Sequence, residues 1–98
     1  PPSAIFASND YMAAGVMKAA AQLRIPIPYE LSLCGFDDTP LAMYMTPTLT
    51  TVRHPVEQLA REAGELLIRQ LKKYLQPFKP EELQSKLIIR DSTGPVNK

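Results

Sequence analysis

Ala4-Ile5-Phe6-Ala7-Ser8-Asn9-Asp10 is an apolar run that enters a polar, acidic turn, and Leu31-Ser32-Leu33-Cys34-Gly35-Phe36-Asp37-Asp38 repeats the design after a segment of helical length. Between them, Asn9 or Asp10 can cap a helix running to about Arg24, because a side-chain oxygen there accepts the first free N–H groups. Arg24-Ile25-Pro26-Ile27-Pro28 ends that helix, since proline lacks an N–H and biases its predecessor toward extended backbone. Strand, helix and strand in this order predict a right-handed βαβ unit with parallel strands. The near-continuous apolar run from Leu31 to Phe36 suits a strand covered on both faces. Both polar turns then share one sheet edge, where open α/β sheets build ligand pockets. A third polar exit follows at Leu49-Thr50-Thr51-Val52-Arg53-His54.

Outward from this core, the first helix carries apolar residues most of the way round, so it needs cover on two sides. Thr39 to Met45 suggests a short helix capped by Asp38 or Thr39 and ended by Thr46-Pro47. Leu49 to Val52 reads as a β-branched strand, and Pro55 fits the first turn of a long helix, where no N–H is needed. Val56, Leu59, Ala60, Ala63, Leu67, Leu71 and Tyr74 make one stripe of that helix. Glu57 with Arg61 and Glu65 with Arg69 fall at i,i+4 on its other face. A proline-containing loop at 76–80, a polar stretch at 81–84 and a last strand from Lys86 to Arg90 follow. Asp91 to Lys98 reads as a tail with little to hold it.

The 98 residues, 45% apolar and 21% charged, allow one modest core and exclude two independent domains. The opening Pro1-Pro2 reads as the start of a fragment, and no run is long enough for a signal peptide or membrane helix. Net charge is +1, with two basic and four acidic side chains in residues 1–50 against nine and six in 51–98. That excess is spread out, unlike the clustered basic stripe of a nucleic-acid surface. Cys34 stands alone in an apolar strand, which rules out an internal disulfide and reads as a small buried hydrophobe.

Adjacent residues leaving a strand point in different directions, so Asp37 and Asp38 do not make a catalytic acid–base pair. One of them caps the following turn, or Asp37 accepts hydrogen bonds from a ligand. Ligand capture is favoured, because a carboxylate accepts two hydroxyls at once, as vicinal diols on a sugar or ribose require. Asn9 offers both donor and acceptor and, with Asp10 able to cap the helix, is read as free for a ligand. His54, the only histidine, has no second metal ligand near it in sequence. No serine lies in a Gly-x-Ser-x-Gly turn, and the four glycines lack the spacing of a phosphate loop. Phe36, Tyr11 and Tyr44 lie near enough to the turns to stack on a sugar ring, or serve as core residues.

The blocks 4–13, 31–38 and 46–55, in this order and spacing, together with the closing Arg90-Asp91-Ser92-Thr93-Gly94, resemble the LacI/GalR family of bacterial transcriptional repressors. The resemblance covers nearly the whole chain and implies roughly the last third of such a repressor. It implies an α/β, periplasmic-binding-protein-like (type I) fragment: mostly C-terminal lobe, with a parallel sheet and flanking helices, plus one long helix of the other lobe. Residues 1–52 would form the C-terminal lobe, 53–78 a crossover and the N-terminal-lobe helix, and 79–98 the return crossover, last strand and tail.

The resemblance also implies that Asn9, Asp37, His54 and Phe36 face a small-molecule effector (a sugar, sugar phosphate or purine). Position 54 departs from the glutamine common in sugar-responsive members. Ala14, Met17, Met43, Tyr44 and Met45 match surfaces that pair subunits into a homodimer. Operator DNA would be bound only through an upstream helix-turn-helix headpiece outside this chain. The expectation is a cytoplasmic sensor with no cofactor, no metal, no membrane contact and no enzymatic activity. The alternatives are a secreted sugar-binding protein of a transporter and, more distantly, a small-molecule hydrolase. A fragment of this kind is also expected to fold poorly by itself.

Overall fold

Strand β1 (Ala4–Phe6) runs parallel to β2 (Ser32–Cys34) with Ile5 opposite Leu33, and helix α1 (Asp10–Gln22) joins them. These elements belong to a computed structural model that describes residues 2–72 and 83–96. After β2 come a four-residue helix α2 (Leu41–Tyr44), strand β3 (Thr51–Arg53), helix α3 (Val56–Lys72) and strand β4 (Lys86–Ile88). A parallel bridge between Cys34 and Thr50 ties the β1–β2 ladder to β3, which pairs antiparallel with β4, Arg53 opposite Lys86. The predicted strand–helix–strand unit is therefore present, with a mixed continuation beside it.

The core is Ala7, Ala13, Leu33, Ala42, Met45 and Leu49, with Ile5, Ala14, Val16, Met17, Ile27 and Leu41 packed against it. Leu31, Leu33 and Gly35 are buried while Ser32, Cys34 and Phe36 are only half-buried. One face of β2 is thus fully covered and the other partly, short of the two-sided cover expected from its composition. Small residues dominate the contact of α1 with the sheet, and the alanines at 13 and 20 are what let the helix sit close. Gly35 serves a related purpose, since a Cβ there would lie 2.5 Å from Asp10 Oδ1 and 2.8 Å from Leu49 Cδ2. No side chain fits that approach.

Three local expectations are corrected. The terminator of α1 is a Schellman turn rather than the prolines: Ile25 N–H donates to the Ala20 carbonyl at 2.8 Å and Arg24 N–H to Ala21 at 3.2 Å. Arg24 occupies the left-handed position of that motif at φ 58°. A glycine is relieved of the Cβ conflict there, so Arg24→Gly is expected to stabilise the protein by about 0.5–1 kcal/mol, read from the midpoint of urea unfolding. Helix α2 begins after Pro40 with no side-chain cap, so neither Asp38 nor Thr39 caps it.

The third correction concerns residues 91–94 of the closing stretch, which are stitched down rather than loose; residues 97–98 lie outside the described residues. Ser92 is fully buried; its N–H-accepting and hydroxyl-donating contacts reach Thr50 N and the Leu33 carbonyl, and its own carbonyl accepts from Leu33 N. Thr48 with Asp91, Thr50 with Thr93 and Ser32 with Gly94 continue the seam. A polar tail can be fixed this way because each group it brings to the sheet edge finds a partner.

The chain divides into two compact units, Pro1–Arg53 with Lys86–Lys98, and His54–Ser85. The second is dominated by α3, which has no buried residue; Val56, Leu59, Leu67, Ile68 and Leu71 are exposed. Tyr74, the loop at 76–80 and residues 81–82 of the polar stretch lie outside the described residues.

Candidate functional site

The carboxyl ends of β1 and β2 are laced together by backbone. Asp10 N–H donates to the Phe36 carbonyl at 3.1 Å, and Ala7 N–H to Cys34 at 2.8 Å. Next door, Gly35 N–H and Asp37 N–H donate to Thr50 and Val52, each at 2.9 Å. The Asn9, Asp37 and Val52 exits thereby lie side by side along one edge, as parallel strands require.

Asp37 is exposed and takes φ 107°, with Asp38 next to it at φ 52°. Two consecutive left-handed residues turn the chain sharply, and the two carboxylates part company. Asp38 is turned inward, its side chain only 7% exposed, and pairs with Arg53 Nε at 2.7 Å and Arg90 Nη2 at 2.8 Å. Burial alone would raise its pKa; the hydrogen bonds and charges of Arg53 and Arg90 outweigh burial and hold it below the ordinary carboxylate value. A folded-state pKa below the unfolded one contributes stability that is present above the unfolded value, about 3.9, and is lost as pH falls through the folded value. The stability difference between wild type and Asp38→Asn is therefore expected to be constant above about pH 5 and to shrink below about pH 4. Urea unfolding across that range measures it.

Asp10 is the residue that reading the sequence assigned wrongly. It is fully buried, accepting from Thr39 N–H at 2.6 Å and Thr39 Oγ1 at 3.1 Å on one oxygen and from Thr51 Oγ1 at 2.7 Å on the other. It thus pins the turn after β2 and strand β3 to the start of α1. The capping role falls to Asn9, whose Oδ1 accepts from Met12 N–H at 2.8 Å. Asn9 is consequently not free; its amide NH2 is what it has left to offer a ligand. The signal for this exchange was local: Asn9 precedes the first helical residue, and the residue after a cap at a strand end points back across the sheet edge.

Phe36 packs on Phe6, ring centroids 6.4 Å apart and tilted by 45°. His54 belongs to the second unit, half-buried, with Nδ1 at 3.4 Å from Ser85 Oγ. Among the surface residues expected to pair subunits, Met43 and Tyr44 are 58% and 82% exposed, while Ala14 and Met17 pack partly against the core. Met45 is a core side chain at 9% exposure, which removes it from that surface: the chain turns extended after α2 and points it inward. Cys34 is a free thiol whose pKa is raised by burial and by the nearby Asp10 charge. No group of three or more His, Cys, Asp or Glu side chains able to hold a metal occurs among the described residues.

Residues 1–93 match the model of the periplasmic binding protein-like domain. The chain belongs to that family, in its LacI/GalR branch. The ribose operon repressor of Halalkalibacterium halodurans is 42% identical over 89 residues, which are 91% of this chain and 27% of that protein. The HTH-type transcriptional repressor PurR of Vibrio vulnificus is 34% identical over 96 residues, 98% of this chain and 29% of that protein. Among solved structures, the Escherichia coli transcriptional repressor ascG matches with TM-score 0.78 and 41% identity, over 92% of this chain and 33% of that one. A LacI family transcriptional regulator from Lactobacillus casei with bound sucrose matches with TM-score 0.83 and 30% identity, over 94% and 34%. This LacI/GalR chain therefore spans less than a third of the curated relatives it matches. Those relatives are transcriptional repressors rather than enzymes.

Proposed function

We propose that this chain is the C-terminal part of the effector-sensing domain of a LacI/GalR-type repressor. It binds a sugar or sugar-like molecule without converting it, and binding alters the affinity of a separate helix-turn-helix headpiece for DNA. The observation that carries this reading is the parting of the two aspartates. Asp38 is paired with two arginines and largely buried, whereas Asp37 is exposed at the strand-exit edge, beside the Asn9 turn. An outward carboxylate on a rigid turn is a preorganised acceptor for paired hydroxyls.

Phe36 and His54 are likewise proposed as effector contacts. The exposed Met43 and Tyr44, continued by the partly buried Ala14 and Met17, are proposed to meet a second copy in a homodimer. The exposed apolar stripe of α3 is proposed to be covered by the rest of the effector domain. No helix among the described residues is long and apolar enough to cross a membrane. A role on operator DNA places the protein in the cytoplasm. The transporter alternative is disfavoured because the named relatives are repressors.

Calorimetric titration of the intact protein with sugars, sugar phosphates and purines tests the proposal. The expected result is saturable binding of one class, recovery of the ligand unchanged, and a change in operator affinity on saturation. Turnover of the ligand contradicts it, as does binding that leaves operator affinity untouched.

A further inference from the structure

The two arginines that hold Asp38 come from the two places where the chain crosses between its units. Arg53 is the last residue of β3 and of the first passage out, immediately before His54; Arg90 follows β4, which begins where the chain returns at Lys86. Their environments differ in a useful way. Arg90 is fixed, its side chain 12% exposed, with Nη1 donating to the Leu49 carbonyl at 2.9 Å and its backbone N–H to Thr50 Oγ1 at 2.9 Å. Arg53 is 56% exposed, and its Nε pairs with Asp38.

The turn they grip is strained. Asp37 at φ 107° and Asp38 at φ 52° are both in the region that favours glycine, and Asp37 lies well outside the narrow left-handed well that aspartate tolerates. Such backbone persists only where surroundings over-determine it. The surroundings include Asp37 N–H to Val52, Asp38 N–H to Thr51 Oγ1 at 3.3 Å, and the doubly paired Asp38 carboxylate. The first two are ordinary or long; the ion pairs are the strong, charge-assisted members of the set.

We propose that Asp38 is a positioning residue for the binding turn: clamped between Arg53 and Arg90, it holds Asp37 in its outward conformation and couples that conformation to the two crossing strands. This rests on the reading of Asp37 as an effector contact. The effector need not touch Asp38 for its affinity to depend on it, and a shift of β3 against β4 would be felt at Asp37 through the arginines.

Hydrogen–deuterium exchange by mass spectrometry on the ligand-free intact protein tests the clamp, comparing wild type with Asp38→Asn, Arg53→Gln and Arg53→Lys. Loss of a charge-assisted contact is expected to speed exchange in peptides spanning 35–40 by about tenfold or more in Asp38→Asn. The effect is expected to be smaller in Arg53→Gln, largely restored in Arg53→Lys, and absent from peptides of α1. Unchanged exchange at 35–40 overturns the proposal, and so does a uniform rise in every peptide, which marks simple destabilisation. Should Asp38→Asn not fold, the exposed Arg53 variants decide alone. Titration with sucrose, D-glucose and D-ribose separates the two levels. If Asp37→Asn weakens binding of a probe and Asp38→Asn does not, positioning fails and the effector reading stands. If neither variant weakens it, or no probe binds, the effector reading fails, while the exchange result still decides the clamp.

Discussion

Replacing Asp10 with alanine is expected to destabilise the intact protein by about 3–5 kcal/mol, enough to approach the whole stability of a marginal domain. Its two oxygens serve three donors, the part-buried Thr39 N–H and hydroxyl and the buried Thr51 hydroxyl. Removing the carboxylate leaves buried donors unpaired and a hole beside Gly35, whose missing Cβ exists to admit that carboxylate. Each unpaired donor costs about 1–3 kcal/mol, and the void adds to it. Asp10→Asn keeps the volume but sets an NH2 against a donor, so roughly half the loss is expected. Denaturant unfolding of wild type and both variants checks the order; a loss below about 1 kcal/mol for alanine would show that the three donors find water instead.

The second large effect falls on binding rather than stability. Asp37→Asn is expected to weaken effector binding by roughly ten- to a hundred-fold, the worth of about 1.5–3 kcal/mol for a charge-assisted hydrogen bond. The substitution is a clean one. Asparagine has aspartate's size and adopts positive φ at least as readily, so the substitution adds no strain to the turn, and an exposed position contributes little to stability, within about 0.5 kcal/mol. A stable variant with lost affinity separates the binding role from the structural one. Equal affinity in wild type and variant would return Asp37 to being a turn residue.

Why these two neighbouring turns were unequally legible follows from the range of the contacts. Capping is local: Asn9 and Met12 are three residues apart, and the only ambiguity was which of two adjacent side chains served. Asp10 was invisible because its partners, Thr39 and Thr51, lie 29 and 41 residues away and no periodicity announces them. The same holds for Asp38 with Arg90 and for Ser92 with Thr50, where charge and hydroxyl meet only because β3 and β4 pair.

The sequence by itself determined the order of elements, the amphipathic stripe of α3 and the meeting of the Asn9 and Asp37 turns at one sheet edge. Hydrophobic periodicity and strand direction are properties of short stretches, and parallel pairing of β1 with β2 leaves no other place for those turns. Tertiary structure alone decided which aspartate faces out, which is clamped and which is buried, and whether the closing residues are held. Those outcomes depend on which distant donors arrive beside each carboxylate. A buried charge or hydroxyl is tolerated only where partners have been brought to it, and that is a property of the assembled fold.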